Sequence, residues 1–150
     1  IRFTNNMSLP SRPDSFAGLL HHLSRRLSER SNDKWAAIGY PDIRSTHVSF
    51  LVWVERGGMS ASAIATQMGL QRQGTLRVAA ELEAAGYIRT TPSAQHKKAR
   101  ILHLTEKGQT FMKAFAQANA ELESTLEAAL GSETWHGLLE GMKALQAFVR

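Results

Sequence analysis

The sequence predicts a mostly α-helical chain that carries one small β-hairpin. Three observations lead to that expectation. Apolar residues recur at helical spacing over most of residues 15–150, glycines and capping hydroxyls punctuate them, and only residues 87–104 alternate as strands do. At 150 residues with 43% hydrophobic content, the chain is long enough for one buried core. No apolar run approaches the roughly 20 residues of a membrane span, so no membrane partner is expected. The absence of cysteine excludes disulfides, thiolate metal sites and thiol redox sensing. No signal segment opens the sequence, and a cytoplasmic location is the expectation.

Each element has a local cause. Residues 1–14, with Asn5-Asn6, Pro10 and Pro13, read as an extended arm. A helix starts near Ser15 and carries Phe16, Leu19, Leu20, Leu23 and Leu27 on one stripe. Ser31-Asn32-Asp33 is expected to end or loosen it, and Gly39-Tyr40-Pro41-Asp42 is a clear break. Ser45 or Thr46 is expected to cap a second helix, with Val48, Leu51, Val52 and Val54 inward, up to Gly57-Gly58. That glycine pair is a turn, since no Gly-Lys-Ser/Thr follows it as a phosphate loop requires.

Ser60 caps a short third helix, Ala61–Met68, and Gly69 supplies its left-handed stop. The fourth helix is expected over about 72–85, ending at Gly86. Residues 87–91 have strand composition, 92–95 turn, and 100–104 return as a second strand. Thr105 caps a long helix with Glu106 in its first turn, where the helix dipole favours an acid. It carries Phe111, Phe115, Leu122, Leu126 and Leu130 and stops at Gly131. Ser132 is expected to cap the last helix, with Trp135, Leu138, Leu139, Met142, Leu145 and Phe148 on its apolar stripe.

Charge is unevenly distributed along this order. The net charge is +5, which favours a polyanionic partner. Residues 55–108 hold eight basic against four acidic side chains, whereas residues 109–150 hold three against five. A winged helix-turn-helix distributes its charge in this way, with the cations on the central unit.

On the fourth helix, Thr75, Val78, Ala79 and Leu82 share a stripe expected to pack on Ile64, Ala65 and Met68. The opposite stripe presents Gln73, Arg77, Ala80 and Ala84, with Arg72 and Leu76 at its flanks. Small alanines permit close approach to a major groove. Gln suits adenine, Arg suits guanine, and Leu76 suits a thymine methyl. Gln73 and Arg77 are the candidate base contacts. Gln71, Arg72 and the free N–H groups at the helix start suit a phosphate. The hairpin adds Gln95, His96, Lys97 and Lys98 at or just after its tip, flanked by Arg89 and Arg100, with no acid anywhere over 89–104. Such a basic tip can straddle a phosphate backbone or enter the minor groove.

The segments Ser-Ala-Ser-Ala-Ile-Ala-Thr-Gln-Met-Gly at 60–69, Glu-Leu-Glu-Ala-Ala-Gly-Tyr-Ile at 81–88 and Leu-Thr-Glu-Lys-Gly at 104–108 resemble the MarR family of bacterial regulators. The resemblance spans about residues 15–150. It implies a single domain with a winged unit at about 45–108 and dimerisation helices at about 15–31 and 106–150. It further implies a homodimer on a pseudo-palindromic DNA operator, most often a repressor released by a small aromatic or phenolic ligand. Two positions depart from the family. The wing's usual Asp-x-Arg pair is replaced around His96-Lys97-Lys98, and Gln71 stands where the recognition helix usually opens with Ser or Thr. Both departures bear on operator contacts rather than on the fold.

Other chemistry is weakly represented. The six histidines, His21, His22, His47, His96, His103 and His136, form no metal-ligand spacing, and no cofactor is expected. No Gly-x-Ser-x-Gly or other catalytic constellation occurs, so an enzyme is not expected. The family layout would place His21, His22, Arg25, His47, Phe50 and Trp53 around a pocket suited to an aromatic acid; Phe50 and Trp53 read equally as core. The C-terminal apolar stripe fits a dimer seal better than a partner groove. A winged-helix protein-interaction module, or a metal or ligand sensor with incidental DNA affinity, stays open as an alternative.

Overall fold

The computed structural model describes residues 15–57, 59–92 and 100–149. The expected arm at 1–14 and the hairpin tip at 93–99 lie outside the described residues. Among the described residues, six helices and one antiparallel hairpin follow in the order α1 Phe16–Ala37, α2 Ser45–Glu55, α3 Ala61–Met68, α4 Arg72–Ala84, β1 Ile88–Pro92, β2 Arg100–Leu104, α5 Glu106–Leu130 and α6 Ser132–Phe148. This is the mostly helical winged helix-turn-helix that the sequence predicts.

Helix α1 opens where expected, with Ser15 Oγ accepting from the Gly18 N–H at 3.1 Å. It does not end at Ser31-Asn32-Asp33, however, but runs on to Ala37. Ser31 donates back to the Leu27 carbonyl at 2.8 Å, which satisfies its hydroxyl inside the helix. Asn32 Oδ1 accepts from the Ser45 N–H at 3.0 Å and from the Ser45 hydroxyl at 3.1 Å. One turn on, Trp35 is buried, with Phe111 5.5 Å and Phe115 5.9 Å away between ring centroids. Tertiary contacts thus outweigh a local breaking tendency.

Those same contacts move the second cap. Arg44 rather than Ser45 or Thr46 is the N-cap of α2, because the Ser45 hydroxyl is turned to α1. The Arg44 N–H is taken instead by His47 Nδ1 at 3.3 Å. Val48, Leu51 and Val54 are buried as expected, Val52 is half-buried, and His47 and Phe50 join the buried set. Ser132 likewise fails to cap α6. Gly131, at φ 81°, takes that position while the Ser132 hydroxyl donates to Glu127 at 2.8 Å.

The central unit follows its local signals closely. Ser60 Oγ accepts from Ala63 N–H at 3.2 Å, and Gly69 ends α3 at φ 63°. Helices α3 and α4 pack together with Ile64, Ala65, Thr75, Ala79 and Leu82 buried between them and the hairpin. Strands β1 and β2 pair from Ile88 with Leu104 to Pro92 with Arg100. The Leu102 N–H donates to the Met59 carbonyl at 3.0 Å, which ties the hairpin to the loop before α3.

The turn into α5 explains the Leu-Thr-Glu-Lys-Gly motif. Thr105 caps α5 by accepting from the Gly108 N–H at 3.1 Å, and its hydroxyl reaches the Gly86 carbonyl at 2.6 Å. Its N–H donates to the Tyr87 carbonyl at 3.0 Å. A Cβ at position 108 would overlap that Tyr87 carbonyl oxygen, so only glycine fits. Tyr87 and Phe111 are fully buried at the centre, with Tyr40 against them.

The apolar stripes of α1 and α6 stay outside this core. Phe16, Leu19, Leu20, Leu23 and Leu27 on α1 are exposed, as are Leu138, Met142, Leu145 and Phe148 on α6. Within α6, Trp135 alone is buried. Among the described residues, no helix is long and apolar enough to cross a membrane.

Candidate nucleic-acid interface

Helix α4 buries one stripe and leaves the other to solvent. Arg72, Gln73, Leu76, Arg77, Ala80 and Ala84 are all exposed, and Leu76 shows 47% of its surface despite being apolar. Gln71 is the N-cap, in extended geometry and with no side-chain cap bond, so it leaves the first N–H groups of the helix open. The guanidinium of Arg77 is not loose. Its Nε donates to Glu81 Oε1 at 2.8 Å, and the second oxygen of Glu81 lies 3.2 Å from Nε2 of buried His47. Arg77 first, and His47 after it, hold the Glu81 carboxyl below its ordinary range.

The hairpin is braced to the same helix near its loop end. Arg100 donates through Nε and Nη2 to the Thr90 hydroxyl at 3.0 and 2.6 Å. Thr90 in turn donates from its N–H and its hydroxyl to Glu83 Oε1 at 3.1 and 2.8 Å. Arg100 is thereby fixed beside Arg72, across a groove of about 580 Å³ that Ser60, Ser62, Leu76 and Ala80 also line. This brace was not visible in the sequence, because Arg100 and Thr90 are diagonal cross-strand neighbours whose meeting depends on register. It fixes Arg100 at the loop end of the hairpin. Gln95, His96, Lys97 and Lys98 lie outside the described residues.

A third cluster joins the winged unit to the scaffold. Tyr87 donates its hydroxyl to Asp42 at 2.8 Å, and burial together with that bond raises the phenol above its usual range. Lys107 Nζ sits 4.0 Å above the Tyr87 ring and donates to the Ala85 carbonyl at 2.8 Å.

Residues 42–99, which take in α2 to β1 and the seven residues after it, match the MarR family model. Over that central stretch the chain is similar to the MarR family. Solved structures give the same fold over nearly the whole length. FabT of Streptococcus pneumoniae in complex with DNA is 16% identical, with 89% of this chain and 94% of that one covered and a TM-score of 0.79. The MepR–DNA complex of S. aureus is 18% identical over 91% and 99%, at 0.77. A MarR protein of Peptoclostridium difficile is 14% identical over 97% and 94%, at 0.80. No curated protein matches the chain by sequence.

The six residues that the family layout would gather around a ligand lie apart in the single chain. His21, His22 and Arg25 are exposed on α1, where Arg25 pairs with Glu29 at 2.6 Å. His47 is engaged with Glu81, and Trp53 is half-buried with Arg56 4.3 Å over its ring. Of the six, Phe50 alone lines the cavity of about 540 Å³ between α2 and the start of α4, which Thr46, Ser49, Leu70, Gln71 and Gly74 also line. Its lining holds no charged side chain. Among the described residues, no group of three or more His, Asp or Glu could hold a metal ion.

Proposed function

We propose that this protein is a sequence-specific, double-stranded DNA-binding transcriptional regulator that works as a homodimer and represses by occupying its operator. The observation that carries the reading is the exposed face of α4. It offers Gln73, Leu76 and Arg77 between small alanines, and Arg100 stands fixed at its edge. A helix of this kind fits the major groove, with Gln73 and Arg77 on base edges. Arg72 and Arg100, with Lys97 and Lys98 at the tip, take the phosphates, and Gln71, Gln95 and His96 lie within reach of the backbone. Two of the structural relatives are solved with DNA, which supports the reading. The exposed stripes of α1 and α6 are suited to a second copy.

Release by a small ligand fits the cavity between α2 and α4. A molecule there touches Gln71 and Gly74 and so displaces the start of the reading helix. Its uncharged lining suits a neutral phenol better than an aromatic acid.

Selection and sequencing of bound duplexes from a random pool, at two salt concentrations, tests the function. Enrichment of a pseudo-palindrome with half-sites about one helical turn apart is the expected result. Binding without enrichment would make this a non-specific DNA binder, and no binding at low salt would favour a protein-interaction module.

A further inference from the structure

Arg77 is 83% exposed in its side chain, Glu81 is 39% and His47 is 7%. The three form a line from solvent into the core, crossing from α4 to α2. An i,i+4 arginine–glutamate pair on a helix surface usually contributes little, because both side chains must be ordered to make it. Arg25 and Glu29 on α1 are such a pair, about half exposed on both sides. Arg77 and Glu81 differ in one respect. The second carboxylate oxygen of Glu81 is held by a buried ring on another helix.

That ring is itself fixed. Glu81 Oε2 accepts, so His47 Nε2 carries a proton and donates. His47 Nδ1 lies 3.3 Å from the Arg44 N–H and 3.1 Å from the Asp42 carbonyl. A neutral ring accepts from Arg44, and a protonated ring donates to Asp42. In both states the imidazole is bonded to the main chain ahead of α2. The carboxylate is therefore ordered before Arg77 reaches it. Arg77 spends its Nε on Glu81, and among the described residues its two Nη groups have no other hydrogen-bond partner. Those are the donors that pair with guanine O6 and N7.

We propose that Glu81 is a positioning residue for Arg77, anchored from behind by His47, and that the pair sets base discrimination at the position Arg77 reads. The inference rests on the reading of α4 as the DNA-recognition helix. Pre-ordering a long exposed side chain lowers the entropy lost when it docks. Glu81 is also an acid facing a polyanion, which gives its removal an unusual signature. Glu81→Ala should weaken the selected operator, by about three- to tenfold. It should at the same time strengthen binding to random duplex, because a negative charge near the phosphates is gone. Glu81→Gln removes the same charge and keeps an acceptor for Nε, so it should restore part of the operator affinity. In an Arg77→Ala background, Glu81→Ala should no longer weaken the operator. His47→Gln, compared at equal thermal stability, should act in the direction of Glu81→Ala and add nothing to it.

The decisive measurement is titration of the selected operator, a variant operator altered at the guanine, and random duplex against this set of dimers. Operator loss with Glu81→Ala that vanishes without Arg77 supports positioning. Tighter operator binding by Glu81→Ala would overturn it and make Glu81 a sequestering group instead. Equal loss from Glu81→Ala with and without Arg77 would overturn it in favour of a general stabilising role. If Arg77→Ala itself leaves operator discrimination unchanged, the assignment of Arg77 to base reading falls, and the positioning role falls with it.

Discussion

Gly108 shows how one residue can join the winged unit to the scaffold. Its Cα faces the Tyr87 carbonyl, which already accepts from the Thr105 N–H. Gly108→Ala forces backbone against backbone, where no side-chain rotamer can relieve the overlap. We expect a loss of about 1–3 kcal/mol, read as a fall in Tm by calorimetry at fixed protein concentration. A smaller effect belongs to the ring above it. Tyr87→Phe keeps the buried ring but leaves Asp42 without its hydroxyl donor, so about 1–2 kcal/mol should go, with no change in operator sequence preference. Both residues stand in motifs that the sequence displays, and Thr105, Gly69 and Gly131 do too. Caps and left-handed stops are legible because their causes lie within four residues. Ser45 and Ser132 misled for a related reason. Each hydroxyl has a better partner elsewhere, Asn32 for one and Glu127 for the other, and neither partner can be read from a capping rule.

At the scale of elements, α4 was readable as a two-faced helix because 100° per residue separates its stripes without any knowledge of the fold. The extent of α1 was not. Trp35 and Asn32 extend it through contacts with α5 and α2, a tertiary effect that overrides a polar triplet. The ligand set expected from the family layout is dispersed in a single chain: Phe50 lines a cavity, His47 meets Glu81, and the α1 histidines face solvent. Two predictions belong to α4 and the hairpin. Arg77→Ala should weaken the selected operator by about 1–3 kcal/mol and leave random duplex nearly unaffected, as measured by competition titration. Equal loss on both would remove Arg77 from the base contacts. Lys97→Ala should instead weaken every duplex and reduce the slope of log K against log salt by about one. An unchanged slope would take Lys97 off the phosphate backbone.

For the whole molecule, the apolar surface and the charge point the same way. A single chain leaves Phe16 64% and Phe148 75% exposed, with two leucine-rich stripes between them, which is more apolar surface than a soluble monomer usually shows. These stripes sit on α1 and α6, whereas residues 55–108 hold eight basic against four acidic side chains and residues 109–150, which include α6, carry a mild acidic excess. In the homodimer proposed above, pairing two copies through α1 and α6 would bury the stripes, keep the acidic C-terminal helices off the phosphates and leave two α4 faces available. One helical turn of B-DNA, about 34 Å, then fixes where those faces must lie. If this is the arrangement, Leu23→Glu combined with Met142→Glu places unpaired carboxylates in the seam and should give monomers by sedimentation at micromolar concentration. Binding to a full operator should then fall to the level of an isolated half-site, while half-site affinity stays close to that of the unaltered chain. A double variant that stays dimeric with full operator affinity would locate the seam elsewhere on the molecule. A monomer that also loses half-site binding would mean that α1 and α6 stabilise the winged unit itself, a distinction that helical content measured by circular dichroism can draw.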